Sequence, residues 1–295
     1  MSLALQRFVD DLGHRLPHAF RLRWPEFAQL LSLSSYILFA GVYLQLRYFN
    51  LGGWLIALSA GILTEWLLAS IRDPSTPKET GGKRFRFSAA FISSSALFLL
   101  VEVDSQWALA ALCSMAIVLK RLIVDDRGHH FFNPASLAIM LAIGLGPDLY
   151  LFDPTRIPVR QDFFILVLIM GTLATILADR WRLTLSYLGA FVLMSLMVSL
   201  IFDPTSLGFR AYRILAPMNL VFCFHMISDP MTSPRKHSEQ IQVGIALALT
   251  DLILREFKVY HSTLVAMLLI AGWRGFKGMI DRDLSLNKDE KSVQT

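Results

Sequence analysis

The chain has 295 residues, of which 54% are hydrophobic and only 17% are charged, and its mean hydropathy is +0.50. This composition excludes an ordinary soluble globular domain and predicts an integral membrane protein that contacts the lipid bilayer. The net charge of +5 is better explained by basic cytoplasmic loops beside an anionic leaflet than by nucleic acid, which we do not expect as a partner.

In chain order, the first element is a polar segment over residues 1–26. Its first 24 residues contain four arginines and two aspartates, without an apolar core or a small-residue cleavage site. A signal peptide would have both of those features, so we do not expect one. We predict a cytoplasmic segment ahead of the first membrane span.

Ten apolar segments follow and predict an all-α polytopic membrane domain over residues 27–275. The longer segments approach the roughly 20 residues that a helix needs to cross a bilayer. Helices are expected because lipid offers no partners to backbone polar groups. The predicted spans are residues 27–47, 51–70, 87–102, 105–123, 133–147, 162–179, 183–202, 213–228, 239–256 and 260–274. Residues 276–295 are predicted to form a polar cytoplasmic tail, disordered from Asp281 onward.

Basic residues in the loops predict the orientation of the spans. They crowd the second, fourth, sixth and eighth loops, as at Lys83, Arg84 and Arg86, whereas the third loop contains Glu102 and Asp104. By the positive-inside rule, these even-numbered loops and both termini are cytoplasmic. The seventh and ninth loops also carry basic residues, which weakens the pattern without reversing it.

A weak internal similarity favours two related halves, residues 27–148 and 160–275. The stretch SLAIMLAI (Ser136 to Ile143) resembles TLVAMLLI (Thr263 to Ile270). Halves with an odd number of spans would cross the membrane in opposite senses, giving an inverted five-plus-five repeat. Apolar segments often resemble one another, so the sequence leaves this repeat open.

The loop before the fifth span contains an aromatic and polar cluster, HHFFNP, at residues 129–134. Asn133 can cap the fifth helix with Pro134 in its first turn, which is an ordinary helix start. That interpretation leaves His130, Phe131 and Phe132 unexplained. Their rings would supply stacking faces and hydrogen bonds for a flat heterocycle with polar edges, such as an isoalloxazine. Both interpretations stay open on the residues alone.

The eighth loop begins inside the membrane as FHMISDPMTSPRKH, from Phe224 to His237. Prolines and the polar residues Asp229, Thr232 and Ser233 predict that the helix breaks there. Free backbone groups at that depth must be lodged in protein or line a cavity. An ordinary proline-rich turn is the alternative.

Glu65 and Asp251 are the ionisable residues set furthest into spans, so they are candidates for an ion or proton path. Glu65 lies about a turn and a half from the cytoplasmic end and is expected to reach the interface. Asp251 lies roughly 18 Å along the helix from Glu239 and is the better candidate. Lys120 and Arg121 close the fourth span and are expected to extend to the interface.

The remaining metal-binding and redox side chains indicate no other site. The two cysteines, Cys113 and Cys223, lie in separate spans without metal-binding spacing and are predicted to be small buried thiols. Only His225 lies well inside a span, so a transmembrane haem with two axial histidines is not expected. We predict no metal site, and no self-contained enzyme active site is evident.

Three motifs, spread over residues 50–275, resemble the NqrB/RnfD family of membrane subunits from sodium-pumping quinone reductases and Rnf electron-transport complexes. They are FFNPA at residues 131–135, DPMTSP at residues 229–234 and the serine-rich FSAAFISSSALFLL at residues 87–100. The resemblance implies a ten-helix, urea-channel-like bundle with an inverted repeat, in a bacterial inner membrane. It also implies an electron-transport function and other membrane or membrane-associated redox subunits as partners.

The resemblance further implies a noncovalent flavin, riboflavin or FMN, near the cytoplasmic side. The residues expected to line its site are His130, Phe131, Phe132, Asn133 and Pro134, with Asp229, Thr232 and Ser233 close by. Electrons would pass between a cytoplasmic donor and a membrane partner, with or without coupled ion movement.

The sequence departs from the family at its covalent FMN site. Residues 147–162 read PDLYLFDPTRIPVRQD and lack the family's Ser-Gly-Ala-Thr motif. Covalent FMN is therefore not expected, and the chain is similar to shorter RnfD-type, UnbU-like relatives. A small-solute or ion channel of the same bundle type remains an alternative, and a scaffold that anchors a partner is another.

Overall fold

The computed structural model describes residues 24–71, 85–103, 105–123, 130, 132–146, 150–152, 157, 160–202, 208 and 215–293. Within this part of the chain there are ten helices and one short antiparallel ribbon, so the predicted all-α fold class is confirmed. Most of the N-terminal segment and Phe131 lie outside the described residues.

Each predicted span coincides with one helix. The helices are α1 (Trp24–Leu38), α2 (Leu51–Ser70), α3 (Phe87–Leu100), α4 (Gln106–Leu122), α5 (Pro134–Leu145), α6 (Gln161–Leu177), α7 (Trp181–Phe202), α8 (Pro217–Phe222), α9 (His237–Glu256) and α10 (Ser262–Val293). Wider π-helical turns extend α1 through Phe39–Tyr43 and α8 through Cys223–Ile227. Strands β1 (Val101–Val103) and β2 (Tyr150–Phe152) pair with Val101 opposite Phe152.

The C-terminal tail differs from the prediction. It is helical as far as Val293, so α10 contains 32 residues. The prediction of disorder from Asp281 rested on polarity alone. After Gly278 the sequence contains neither proline nor glycine, and charged residues of both signs, such as Asp281 and Arg282, are compatible with a helix.

Two helices in the described part, α2 and α7, are long and apolar enough to cross a membrane, which is compatible with a membrane location. Helices α3, α5, α6 and α8 are apolar but shorter. Side-chain caps define several helix starts. Asn50 accepts a hydrogen bond from the Gly53 amide at the start of α2, and Ser105 accepts one from the Trp107 amide at the start of α4.

Helix packing follows a regular pattern. Helix α2 packs against α3 and α4, and α4 packs against α5; likewise, α9 packs against α7 and α10. Helix α1 packs against α3 and α6, and α6 packs against α8. Large side chains fill the core where these helices meet, among them Tyr36, Leu112, Phe163 and Phe222.

Candidate functional site

A cavity of about 170 Å³ lies where α1, α3 and α5 begin, beside the end of α4 and the chain that follows α8. We call this the inner end of the bundle, and the loop charges predict that it is cytoplasmic. An engineered protein cavity of about 150 Å³ accepts benzene, so this cavity has room for at least an aromatic ring. Leu33, Ile92 and Met226 form much of its apolar wall.

Asn133 links two of the segments that form the cavity. Its Oδ1 accepts hydrogen bonds from the backbone amides of Ala135 (3.0 Å) and Ser136 (3.1 Å), which caps α5 as predicted. Its Nδ2 donates to Oδ2 of Asp229 (3.4 Å) and to the carbonyl of Met226 (3.5 Å). The side chain is 6% exposed, so these contacts fix its orientation in the cavity wall.

Asp229 organises the turn that follows α8. Oδ2 of Asp229 accepts a hydrogen bond from Thr232 Oγ1 (3.1 Å), and its carbonyl accepts one from Ser233 Oγ (2.6 Å). Enclosure by the protein raises the pKa of the Asp229 carboxyl above its usual range, although the hydrogen bond from the Met231 amide, the charge of Lys120 and the hydrogen bond from Thr232 oppose the shift. Thr232 and Ser233 therefore shape the turn, and neither lines the cavity.

Two arginines support this turn from outside. Arg180, between α6 and α7, donates from Nε to Ser233 Oγ (2.7 Å). Arg274, in α10, donates to the carbonyl of Thr232 (2.9 Å). Sequence reasoning missed both residues, since their partners are far away in the chain and no local motif marks them.

Charged side chains surround the opening of the cavity. Glu26, in the first turn of α1, forms an ion pair with Arg86 and accepts a hydrogen bond from Ser88 Oγ (2.9 Å). Lys120 and His225 also line the cavity. The sequence had predicted that Lys120 extends to the membrane interface. It instead faces the cavity, because α3 and α5 lie beside the end of α4.

The predicted flavin-binding residues are only partly brought together. His130, Asn133, Pro134 and Asp229 all line the cavity. Phe132 does not: a Cβ placed on Gly272 of α10 would lie 3.6 Å from its ring, so the ring packs against that helix. Among the described lining residues there is no phenylalanine, tyrosine or tryptophan, and stacking by Phe132 on a flavin stays a prediction.

Glu65 and Asp251 both lie in closed polar clusters. Glu65 is 3% exposed and forms an ion pair with Arg121 (2.6 Å), which joins α2 to α4. The sequence had predicted that both side chains extend to the membrane interface, but the ion pair holds them between the helices. Asp251 is fully buried and accepts from Tyr187 (2.8 Å) and Arg255 (2.9 and 3.0 Å). Thr263 adds a further donor (3.1 Å), so Asp251 joins α7, α9 and α10.

Comparison with known proteins does not extend this assignment. No protein-family model matches the chain, and no curated protein matches it significantly. Within the described part of the chain, no group of three or more histidine, cysteine, aspartate or glutamate side chains could hold a metal ion. The cavity is the candidate site on which a functional proposal can rest.

Proposed function

We propose that this chain is a polytopic membrane protein that holds a flavin noncovalently in the inner-end cavity. In this proposal it passes electrons between a cytoplasmic donor and a partner in the membrane. The observation that carries the proposal is the contact between Asn133 and Asp229, which joins two family-like motifs at one cavity. The bound flavin would supply the redox chemistry, and the polypeptide would position it and exclude water.

Exposed apolar side chains support the membrane part of the proposal. Leu63 on α2, Ile169 on α6, and Leu185 and Met197 on α7 are each more than half exposed. Soluble proteins rarely expose apolar surface this extensively, whereas lipid would cover it. Exposed tryptophans also lie near the ends of predicted spans, where membrane interfaces favour them: Trp66, Trp107, Trp181 and Trp273.

The packing pattern supports an inverted repeat of five helices. The pairs α2–α4, α4–α5 and α1–α3 have counterparts in α7–α9, α9–α10 and α6–α8. Helices α1 and α6, which open the two halves, pack against each other. Five spans in each half would give the halves opposite orientations.

The described cavity residues fit a flavin at its polar edges and along an apolar wall. Lys120 and His225 offer hydrogen-bonding groups, while Leu33 and Ile92 offer apolar surface for a ring face. This arrangement differs from the aromatic stacking expected from the sequence. It requires that aliphatic contacts and hydrogen bonds hold the ring.

A small-solute transporter is the second candidate. Charges of both signs line the cavity opening, namely Glu26, Arg86, Lys120 and Asp229, and such a lining also suits a polar or zwitterionic solute. Flux of such solutes into liposomes that contain only this protein, without any electron donor, would favour transport over electron transfer.

The test is the visible absorption spectrum of the full chain after gentle extraction from membranes. We expect a flavin band that bleaches on chemical reduction, and release of unmodified flavin when the protein is denatured. Supplying riboflavin or FMN throughout purification controls for loss during extraction. Absence of the band under those conditions, together with solute flux, would contradict the proposal.

A further inference from the structure

Two side chains of the cavity, Lys120 and His225, each have a polar atom without a hydrogen-bond partner among the described residues. Lys120 is partly buried, and none of the described side chains or backbone groups forms a hydrogen bond or an ion pair with its ammonium group. His225 is 5% exposed, and its Nδ1 has no hydrogen-bond partner. Buried polar groups are nearly always satisfied, so Nδ1 of His225 is a group that a bound ligand would satisfy, and Lys120 offers a donor at the same cavity.

The nearby carboxylates do not satisfy Lys120, because both have other partners. Glu26 is held by Arg86 and Ser88, and Asp229 accepts hydrogen bonds from Asn133 and Thr232. The ammonium group is thus attracted by the negative charges without direct contact. A ligand oxygen in the cavity would supply the acceptor that it lacks.

The hydrogen bonds of Tyr36 determine what His225 can offer. The Tyr36 hydroxyl donates to the carbonyl of Val167 (3.4 Å), and its oxygen lies 3.4 Å from Nε2 of His225. We assign the hydroxyl proton to the Val167 carbonyl, and with this assignment Nε2 carries the ring proton and donates to Tyr36. The neutral ring then presents Nδ1 as an acceptor, from a π-helical turn of the kind often found at functional sites.

We propose that Lys120 and His225 are ligand-binding residues that recognise a ring with an adjacent carbonyl and N–H group. Lys120 donates to the carbonyl oxygen, and Nδ1 of His225 accepts from the N–H. The pyrimidine part of a flavin carries such an imide edge, so this inference rests on the proposed function and specifies how the cavity orients its ligand.

The experiment uses riboflavin and N3-methylriboflavin, which lacks the imide N–H. Each is titrated into the flavin-free full chain in lipid nanodiscs, with flavin fluorescence as the readout. We expect the unmodified protein to bind riboflavin at least tenfold more tightly than the methylated compound. His225→Leu should abolish that preference, and Lys120→Met should weaken riboflavin binding at least tenfold.

Lys236→Met is the matched control, since it removes an exposed lysine that does not line the cavity. It should leave both affinities unchanged. If the two flavins bind equally well to the unmodified protein, or if Lys120→Met binds like Lys236→Met, this inference is wrong while flavin binding stands. If the unmodified protein binds neither flavin, both the inference and the proposed function fail. The comparison of the two flavins needs no variant, so it remains decisive if His225→Leu does not fold.

Discussion

Asn133 donates a hydrogen bond to Asp229 across 3.4 Å, although 96 positions separate the two residues in the chain. The same Asn133 side chain caps α5 through its other polar atom. One amide thus fixes a helix start and attaches it to the turn after α8. Its two functions can be separated experimentally, because a shorter capping residue could perform only the first.

Substitution of Asn133 should separate helix capping from cavity formation. Asn133→Ala removes the cap and should lower the free energy of unfolding by about 1 kcal/mol. Asn133→Ser keeps a capping oxygen but is too short to reach Asp229, so it should retain most of the stability while losing flavin. Thermal unfolding and retained flavin, measured on the same preparations, check this. Full flavin retention by Asn133→Ser would contradict a binding role for the contact.

Gly244 should not tolerate a side chain, because α7 and α9 approach closely there. A Cβ on Gly244 would lie 2.7 Å from the carbonyl oxygen of Leu183 and would also clash with Ser186 Oγ. We expect Gly244→Ala to lower the free energy of unfolding by about 1–3 kcal/mol, as overpacking does. Denaturant titration in detergent measures the change.

Gly189→Ala is the matched control on α7. A Cβ at Gly189 would meet no atom within 4 Å, so alanine should leave stability unchanged or raise it by up to about 1 kcal/mol. Equal losses of stability in Gly189→Ala and Gly244→Ala would show that the close packing of α7 and α9 does not cause the loss at Gly244.

The ion pair between Glu65 and Arg121 should matter far more for stability than an exposed one. Glu65→Gln leaves a largely buried guanidinium without its countercharge, which typically costs about 3–5 kcal/mol. Arg160→Gln, which breaks the exposed pair with Asp162, should leave the free energy of unfolding nearly unchanged, because solvent screens that pair. Unfolding free energies of the two variants should be compared at one pH. A stable Glu65→Gln protein that loses ion flux would instead support an ion path.

The raised pKa of Asp229 predicts a pH dependence of stability. Below about pH 4 the carboxyl is protonated in both the folded and the unfolded chain. As pH rises through the higher pKa of the folded state, ionisation in the enclosed site lowers stability. The positive charges of Lys120 and Arg180 oppose this loss but do not reverse it.

Asp229→Asn isolates this contribution, because asparagine does not titrate. The melting temperature of the native protein relative to Asp229→Asn should fall as pH is raised from about 4 toward neutrality. If the melting temperature of the native protein relative to Asp229→Asn instead rises over that pH range, the folded protein stabilises the ionised carboxylate.

The sequence was most informative where a local pattern has a local cause. All ten helices lie at the predicted positions, since long apolar segments leave the backbone no alternative to helical hydrogen bonding. Asn133 was identified as a cap for the same reason, because its partners, Ala135 and Ser136, are its near neighbours in the chain.

The sequence was least informative about side chains whose partners are distant. Phe132 was expected to face a ligand, but it packs against Gly272. Glu65 was expected to reach the interface, but it pairs with Arg121 on another helix. In both cases the direction of the side chain depends on a helix whose position the local sequence does not specify.

The sequence by itself determined the all-α architecture and the positions of the helices, because hydropathy and capping act over a few neighbouring residues. Only the tertiary structure decided which polar groups are satisfied. Packing of helices far apart in the chain surrounds Asp251 with donors while leaving Lys120 and Nδ1 of His225 without hydrogen-bond partners in the described part of the protein. That distinction is geometric, since hydrogen bonds require donor and acceptor atoms within about 3.5 Å of each other, and the fold alone sets those distances.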